Sequence, residues 1–386
     1  MATPEFGPRG EIRFNQPTLE GREVEYIQQA ALGGYTSMNG PFTKLVTALL
    51  QDELDAAGVL LTTSCTDALE MAAMLLRLEA GDTVIVPSFT FVSSALAFIR
   101  EGARVVFADI ERETLGIDPR HVAELIDDTT RAVVAVHYAG VACDVPGLRA
   151  VLADHPRVDL IEDNAHGLFG RLDGRPLGGF GRMSAVSFHE TKSFTCGEGG
   201  ALVLNDPADV DRANILYERG TDRRAFEDGR VDKYTWRDTG SSFGMSDLLA
   251  AYLLGQLEAR DAILAKRRAV VERYQSRLAP EAAAVGFEVP VMPGGRDYAY
   301  HLYYVLLEDA ETRTRVTESL RAVGIQAAFH FVPLHDSDGG RRFRARETDC
   351  PVTEEVTARL LRLPVHNALT PDDADRVADA LLAALA

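Results

Sequence analysis

The sequence has few cysteines, and their positions argue against a metal site or a disulfide framework. Its four cysteines are scattered over 386 residues, at Cys65, Cys143, Cys196 and Cys350. No CxxC pair or Cys/His cluster occurs, whereas zinc sites and small disulfide-bonded domains depend on such spacings. No metal site is therefore predicted.

Long apolar runs and an excess of positive charge are also missing. No apolar run approaches the ~20 residues that a membrane-spanning helix needs, and residues 1–10 lack the apolar core of a signal peptide. The net charge of -18 argues against non-specific binding to nucleic acid or to an anionic membrane. We therefore expect a cytoplasmic protein with a flexible leader at residues 1–13, in which local groups hold any anionic ligand.

Two nucleotide-binding motifs are absent as well. The sequence contains no GxxxxGK[ST] loop, which excludes that type of ATP-binding site, and no GxGxxG follows the first predicted strand, which argues against a dinucleotide site. Hydrophobic residues make up 46% of the chain and charged residues 25%, as is typical of a globular protein. The length allows one large and one small domain.

The first two thirds of the chain alternate between short apolar runs and segments of helical periodicity. This alternation predicts a mostly parallel sheet with helices on both faces, and ligands bind at the carboxyl ends of the strands in such sheets. The predicted strands are 59–61, 83–86, 104–107, 132–136, 158–161, 183–188 and 201–204. The predicted helices are 19–32, 42–56, 68–78, 90–100, 119–126 and 145–153.

A smaller α+β unit is predicted at the carboxyl terminus. A largely helical pattern at 246–278 leads into it, followed by strands at 302–307 and 326–332 and helices at 311–323, 353–361 and 372–385. We place the boundary near residue 265, which gives a large domain at 14–264 and a small domain at 265–386.

One lysine, Lys192, stands in a loop between two predicted strands, within the stretch 187–200. Partial desolvation in such a loop would lower the pKa of the amine and make it a nucleophile. A solvated surface lysine beside a turn is the ordinary alternative.

Other residues at strand ends supply groups that complement this amine. Asp163 could pair with the protonated ring nitrogen of pyridoxal phosphate, and His166 is near enough in sequence to join it, although a helix cap and a surface histidine are equally simple interpretations. The hydroxyl-rich stretch 62–66 precedes a helix start, which is a ready phosphate site or only an N-cap. Phe89 could stack on a flat ring, although core packing is commoner for phenylalanine. Together with Lys192 these groups are what a pyridoxal phosphate Schiff base requires.

Seven motifs occur in the order and at the spacing of the DegT/DnrJ/StrS family of sugar-nucleotide aminotransferases. The chain resembles this family from Phe14 onward. The motifs are SCT at 64–66, PSFTF at 87–91, EDNAH at 162–166, SFHETK at 187–192, GEGG at 197–200, GSSFGMSD at 240–247 and HFVPLH at 330–335.

The resemblance implies the type I pyridoxal-phosphate-dependent aminotransferase fold and a homodimer with active sites between subunits. This α/β fold has a large domain with a mostly parallel seven-stranded sheet and a small α+β domain at the carboxyl terminus. Lys192 would carry the cofactor, Asp163 would keep its pyridine nitrogen protonated, and His166 would lie near its phenolic oxygen or ring. The other implied cofactor contacts are stacking by Phe89 and phosphate binding by Cys65, Thr66, Ser187 and Ser242 of the partner subunit. Many family members have Asn at the last position.

Within the family, SFHETK and the segment DKYTWRD at 232–238 are most similar to enzymes that aminate C4 of a TDP-4-keto-6-deoxyhexose. The resemblance implies L-glutamate as donor and TDP-4-amino-4,6-dideoxygalactose or its glucose-configured epimer as product, for an antibiotic or a surface glycan. The residues expected to contact the sugar nucleotide are Asn39, Arg219, Arg223, Lys233, Trp236, His330 and His335.

Three other functions remain to be weighed. A dehydratase branch of the family has His in place of the Schiff-base lysine, so Lys192 argues against it. Aminotransferases that act at sugar C3 share every cofactor residue and stay an alternative. A non-catalytic regulator that binds pyridoxal phosphate would need a DNA-binding domain, for which this acidic chain has no spare segment.

Overall fold

The computed structural model describes residues 10–386 and contains the following helices and strands. The strands are β1 (Gly58–Thr62), β2 (Thr83–Pro87), β3 (Arg104–Ala108), β4 (Thr130–Val136), β5 (Asp159–Asp163), β6 (Arg171–Leu172), β7 (Arg175–Pro176), β8 (Met183–Ser187), β9 (Gly200–Leu204), β10 (Arg296–Asp297), β11 (Tyr303–Leu306) and β12 (Leu360–Leu363). The helices are α1 (Glu23–Gly33), α2 (Pro41–Leu54), α3 (Cys65–Leu76), α4 (Ser93–Arg100), α5 (Pro119–Leu125), α6 (Val145–Leu152), α7 (Val210–Tyr217), α8 (Arg223–Glu227), α9 (Asp247–Glu258), α10 (Arg260–Val285), α11 (Ala310–Ala322), α12 (Asp338–Phe343), α13 (Pro351–Arg359) and α14 (Pro371–Leu385).

A seven-stranded sheet in the order β1-β9-β8-β5-β4-β2-β3 forms the centre of the molecule. Only β9 runs antiparallel to its neighbours, and the remaining pairs are parallel. Its inner strands are almost wholly buried because helices cover both faces and leave no solvent side. The predicted seven-stranded, mostly parallel sheet is confirmed.

The predicted helices of this region are present with shifted ends, and one shift matters for the site. The helix predicted from residue 90 begins only at Ser93, with Val92 as its N-cap residue. The intervening residues form a loop, which leaves the Phe91 side chain 60% exposed. The end of β2 is thereby joined to α4 by a loop that carries an accessible aromatic ring.

The carboxyl-terminal unit packs α10, α11, α13 and α14 around the antiparallel pair β11–β12. The predicted strand 326–332 was wrong, because only Ala328 pairs, in one isolated bridge to Arg362. Phe329 and Val332 are 56% and 60% exposed, so these β-favouring residues find no buried sheet face to pack on. The helix predicted to reach 361 ends at Arg359, and the next residues form β12 instead.

The predicted domain boundary near residue 265 falls inside the single helix α10. Ile263 packs in the core beside the large sheet, whereas Val270 packs in the core of the carboxyl-terminal unit. Residues 1–9 of the predicted leader lie outside the described residues. Ile12, near its end, is buried in the carboxyl-terminal core and hydrogen-bonds through its N–H to the Gly324 carbonyl at 2.8 Å.

No helix within residues 10–386 has the length and apolar character to cross a bilayer.

Candidate active site

A cavity of about 450 Å³ opens where β4, β5 and β8 end and where the carboxyl-terminal unit meets the sheet. Val136, Asp163 and Ser187, the last residues of these three strands, line it. Residues from the start of α3 line a second wall, and residues near β11 and β12 line a third. The cavity thus lies at the sheet edge that the sequence predicts for a ligand.

Asp163 is a buried carboxylate held in a fixed orientation at the end of β5. Its Oδ2 accepts a hydrogen bond from the Ser94 hydroxyl at 2.6 Å, and its Oδ1 accepts one from the Ala165 N–H at 3.2 Å. A carboxylate has about four acceptor positions, so capacity remains for a donor in the cavity. The residue is only 6% exposed, which favours such a partner over water.

Lys192 lies in the loop after β8 and reaches the same cavity. Its backbone N–H donates to the His189 carbonyl at 2.9 Å, which closes a tight turn. Burial lowers the pKa of its ammonium group, the charge of Asp163 opposes this shift, and the charge of Arg362 adds to it. A lowered pKa raises the fraction of neutral amine, which is the nucleophilic form.

The start of α3 forms an anion-binding corner of the cavity. Ser64 caps the helix by accepting from the Asp67 N–H at 3.1 Å, whereas the N–H groups of Cys65 and Thr66 have no partner within the helix. The backbone of β9 passes close to the start of α3 at Gly200. Only glycine fits there, because a Cβ at that position would lie 2.5 Å from the carbonyl carbon of Ser64. The two free donors and the helix dipole suit a phosphate group.

Three of the four histidines that line the cavity form a cluster, and the fourth, His189, belongs to the loop of Lys192. The rings of His166 and His301 stack with centroids 4.2 Å apart, and the His330 ring lies 6.2 Å from that of His166. His330 Nδ1 and the Tyr138 hydroxyl are 3.1 Å apart and share a hydrogen bond. Burial lowers the pKa of all three imidazoles, so they are neutral near pH 7. Nδ1 of His166 is buried without a partner among residues 10–386 and is available to a ligand.

The structure corrects the assignment of Phe89 as the stacking residue. Phe89 is 1% exposed and packs against Tyr138 and Phe331, with ring centroids 4.9 and 5.3 Å away. It does not line the cavity, whereas Phe91, two positions later, does. The first assignment was wrong because the chain is still buried at Phe89, two residues after β2, and becomes exposed only at Phe91.

His335 was also wrongly assigned to the sugar nucleotide. It is 6% exposed and lies outside the cavity lining. Its Nδ1 is 2.7 Å from the Ser88 hydroxyl and its Nε2 is 3.1 Å from a carboxylate oxygen of Glu354. With both nitrogens engaged, the ring joins β2 to α13 and has no free group for a ligand.

The remaining predicted sugar contacts fall into two groups. His330 lines the cavity. The other five do not line the cavity of their own chain: Asn39, Arg219, Arg223, Lys233 and Trp236. Ser242, predicted to contact the phosphate, does not line it either.

The second group is partly linked by hydrogen bonds on an exposed surface. Arg219 donates to the Ser242 hydroxyl at 2.8 Å, and Asn39 donates to Glu218, which forms a β-bridge with Ser242. Trp236 is 80% exposed. These residues therefore sit together on the outside of one chain, where a second chain could use them.

Two important lining residues, His301 and Arg362, were not predicted. Arg362 interrupts the apolar run 360–363, and a cation in such a run is a signal that the sequence offered. His301 stands just before the predicted strand 302–307 and had no neighbouring motif to mark it. Phe14 and Asn15 also line the cavity and come from a segment without recognisable secondary structure.

The sequence model of the DegT/DnrJ/EryC1/StrS aminotransferase family matches residues 17–382 of the chain. The chain belongs to this family. Spore coat polysaccharide biosynthesis protein SpsC of Bacillus subtilis (strain 168) is 29% identical over 378 residues, which cover 96% of each chain. The structure of aminotransferase TlmJ from Streptoalloteichus hindustanus superposes with a TM-score of 0.89 at 30% identity, covering 97% of this chain and 99% of TlmJ.

A further similar structure supports the fold. The PLP-form of the putative sugar aminotransferase Spr1654 from Streptococcus pneumoniae has a TM-score of 0.88 at 24% identity, over 97% of this chain and 98% of that one. The type I aminotransferase fold is confirmed. The protein is a pyridoxal-phosphate-dependent sugar aminotransferase of the DegT/DnrJ family.

The cavity fits this cofactor on its own chemistry. The free N–H groups at the start of α3 match a phosphate, and the oriented carboxylate of Asp163 matches a protonated pyridine nitrogen. Lys192 supplies a buried amine in the same cavity, and the orphaned Nδ1 of His166 supplies one more polar contact.

Proposed function

We propose that this sugar aminotransferase transfers the amino group of L-glutamate to C4 of a TDP-4-keto-6-deoxyhexose. The observation that carries the proposal is the convergence of Lys192, Asp163 and the α3 N-terminus in one cavity. The similarity of the segments 187–192 and 232–238 to enzymes that aminate C4 supports the regiochemistry. SpsC is a spore coat polysaccharide biosynthesis protein. The similarity to SpsC supports a role in making a surface glycan.

In this proposal Lys192 holds the cofactor and then moves protons. Its amine takes the proton from Cα of the donor and, in the second half-reaction, delivers one to C4 of the sugar. The lowered pKa of Lys192 suits both roles, since a general base near neutral pH must be partly deprotonated. When bound, pyridoxal phosphate supplies the electron sink for these proton transfers.

Asp163 and the walls of the cavity would keep the reacting groups in place. Asp163 holds the proton on the pyridine nitrogen, and Ser94 keeps the carboxylate oriented for it. Cys65, Thr66 and Ser187 bind the phosphate, while Phe91 takes the stacking position first assigned to Phe89.

The sugar nucleotide would be bound from two sides. His330 offers a neutral imidazole for the sugar hydroxyls, while His166 stays beside the cofactor. The other contacts are proposed to come from the exposed surface of a second subunit, with Arg219, Arg223 and Lys233 facing the diphosphate, Asn39 and Trp236 beside them, and Ser242 of the partner subunit on the cofactor phosphate.

A homodimer would cover apolar side chains that one chain leaves in water. Val24, Leu32, Tyr35 and Leu45 of the α1–α2 region are each more than half exposed. Exposed apolar side chains concentrated on two consecutive helices and the loop between them are typical of an interaction site, and most soluble homo-oligomers are symmetric dimers.

The deciding experiment is incubation with TDP-4-keto-6-deoxyglucose and L-glutamate, followed by NMR of the isolated product. The proposal predicts an amine at C4, and the coupling constants of H4 then distinguish the gluco from the galacto product. A product aminated at C3, or no product from the intact holoenzyme, would contradict the C4 assignment. Lys192→Ala serves as the inactive control.

A further inference from the structure

Two arginines of very different character lie in the interior, Arg267 fully buried and Arg362 half-buried. Arg267 donates to the carbonyls of Tyr300, His301 and Val365 and to the side chain of Asn367, so the protein accepts four of the five N–H donors of its guanidinium. Arg362 donates one side-chain hydrogen bond, to the Phe329 carbonyl at 3.0 Å, and its buried Nε has no partner among residues 10–386. Arg267 therefore stabilises the fold, whereas most of the N–H donors of the Arg362 guanidinium have no acceptor among residues 10–386.

Arg362 faces the cavity without a protein counter-ion. It lines the cavity beside Lys192, His301 and His330, and no carboxylate of residues 10–386 forms an ion pair with it. The imidazoles of His166, His301 and His330 are neutral because burial lowers the pKa of each. Once Lys192 carries the cofactor, Arg362 is the remaining lining side chain with a permanent positive charge. A buried cation without a partner is costly, and a bound anion would remove that cost.

The position of Arg362 is fixed by the strand that carries it. Its backbone N–H donates to the Ala328 carbonyl at 2.8 Å, and its own carbonyl accepts from the Ala328 N–H at 3.2 Å. The guanidinium carbon lies 4.7 Å from the centre of the Phe14 ring, which holds the planar group by a cation–π contact. Arg362 and Lys192 line the same cavity, so one ligand bound there faces both groups.

The geometry points to Arg362 as the residue that binds the α-carboxylate of the amino donor, an inference that rests on the proposed function. In an α-amino acid the carboxylate is attached to the carbon that carries the reacting amine. A keto sugar has no charge near C4, because its diphosphate is attached to C1 across the ring. A cation beside the reacting amine therefore suits the donor, and a guanidinium binds a carboxylate through two parallel hydrogen bonds.

The test separates the two half-reactions in the holoenzyme. Absorbance changes report the conversion of the pyridoxal form by L-glutamate and, separately, the reaction of the pyridoxamine form with the keto sugar. Arg362→Gln is expected to raise the Kd for glutamate by about 10- to 100-fold, as for the loss of a charged hydrogen-bond pair. The loss in the glutamate half-reaction should exceed that in the sugar half-reaction. Arg362→Lys, which keeps the charge but not the fork, should lie between the wild type and Arg362→Gln.

A binding measurement removes the dependence on turnover. Calorimetric titration with glutarate, an unreactive dicarboxylate, should show the same order of affinities, and Arg376→Gln on the surface of α14 should behave as the wild type. An unchanged glutamate Kd in Arg362→Gln, or an equal or larger loss in the sugar half-reaction, would overturn the inference. If Arg362→Gln does not fold, Arg362→Lys alone must show the weaker glutamate binding. No reaction of the wild-type holoenzyme with glutamate would instead contradict the proposed donor.

Discussion

At the scale of single residues, burial sets the protonation of the groups that line the cavity. It lowers the pKa of Lys192 and of the three histidines, and it raises the pKa of the Cys65 thiol well above its usual value. The amine is therefore more often neutral, the imidazoles are neutral, and the thiol stays protonated. Charge in the cavity then depends on Lys192, Arg362 and the carboxylates.

Phe89 and Phe91 make a matched pair for testing the corrected stacking residue. Phe91→Ala should weaken pyridoxal phosphate binding by about 1 kcal/mol, roughly fivefold, with little change in stability, because the ring is exposed in the cavity. Phe89→Ala should lower the free energy of unfolding by about 3–5 kcal/mol, because it leaves a hole beside Tyr138 and Phe331. Cofactor titration and thermal unfolding of the apoprotein measure the two effects. Weaker cofactor binding in Phe89→Ala alone would restore the first assignment.

The sequence could predict site residues that stand at strand ends, and it could not predict those supplied by tertiary contacts. Lys192, Asp163 and Ser187 line the cavity as expected, because the carboxyl ends of neighbouring parallel strands meet at one edge. Phe89 and Phe91 are both aromatic residues of one loop, and only the turn between them decides which faces the ligand. Arg362 comes from β12, a strand that was not predicted and whose first two residues were assigned to the end of a helix.

At the scale of elements, the contact between α3 and β9 shapes the anion-binding corner. Gly200→Ala should disturb the start of α3, because the new Cβ would lie 2.5 Å from backbone carbon and 2.6 Å from backbone oxygen of Ser64. We expect pyridoxal phosphate affinity to fall by about tenfold or more, since backbone must move to relieve the clash. Gly294→Ala is the control, because nothing lies within 4 Å of its Cβ position. Equal affinities for both variants would show that the corner does not bind the phosphate.

A second element contact holds β5, the strand that ends in Asp163. Glu162 is fully buried and accepts hydrogen bonds from the N–H groups of Gly178, Phe180 and Gly181, and its Oε2 is 2.9 Å from Nε2 of His137. Burial raises the pKa of Glu162, but the bonds from His137 and the backbone outweigh it and lower the pKa overall. The ionised carboxylate is therefore part of the folded structure.

Glu162→Gln should cost about 3–5 kcal/mol of stability at pH 7. The NH2 group of the new side chain would face buried N–H donors and could not accept their hydrogen bonds. The pKa of Glu162 is lower in the folded protein than in the unfolded chain. The extra stability of the wild type over Glu162→Gln is therefore fully present above the unfolded pKa of 4.5, and it is lost as the pH falls through the folded pKa. Thermal unfolding across this pH range measures it, with exposed Glu124→Gln on α5 as control. A Tm equal to that of the wild type at pH 7 would refute the structural role of the carboxylate.

The elements that the sequence predicted share one property, which is a long buried face. Strands β2, β4, β5 and β8 are buried along most of their length, so each contains a short apolar run. The two-residue strands β6, β7 and β10 and the five-residue helix α8 are too short for any periodicity to show. The segment 326–332 alternates like a strand, but only Ala328 forms a bridge, and His330 and Phe331 line the cavity.

At the scale of the whole molecule, the cavity of one chain lacks several predicted ligand contacts. Ser242 and Arg219 lie together on the exterior, whereas Lys192 lies in the cavity. A homodimer in which each surface completes the cavity of the partner would bring these residues together, as the proposed function requires.

Mixing two inactive variants tests this arrangement. Lys192→Ala removes the amine, and Ser242→Tyr should block the phosphate corner of the neighbouring subunit. After the subunits are exchanged, half of the dimers are mixed and each contains one intact site, so about a quarter of the wild-type activity should return. Either variant alone, carried through the same exchange, is the control. No recovery in subunits shown to exchange would place Ser242 in the cavity of its own chain.

The account depends most directly on Lys192 as the residue that carries pyridoxal phosphate. The measurement is borohydride reduction of the holoenzyme, followed by peptide mapping by mass spectrometry. The reduced cofactor should be found on Lys192, with Lys44, Lys233 and Lys266 unmodified. A cofactor mapped to another lysine, or retained without any covalent lysine adduct, would contradict the account.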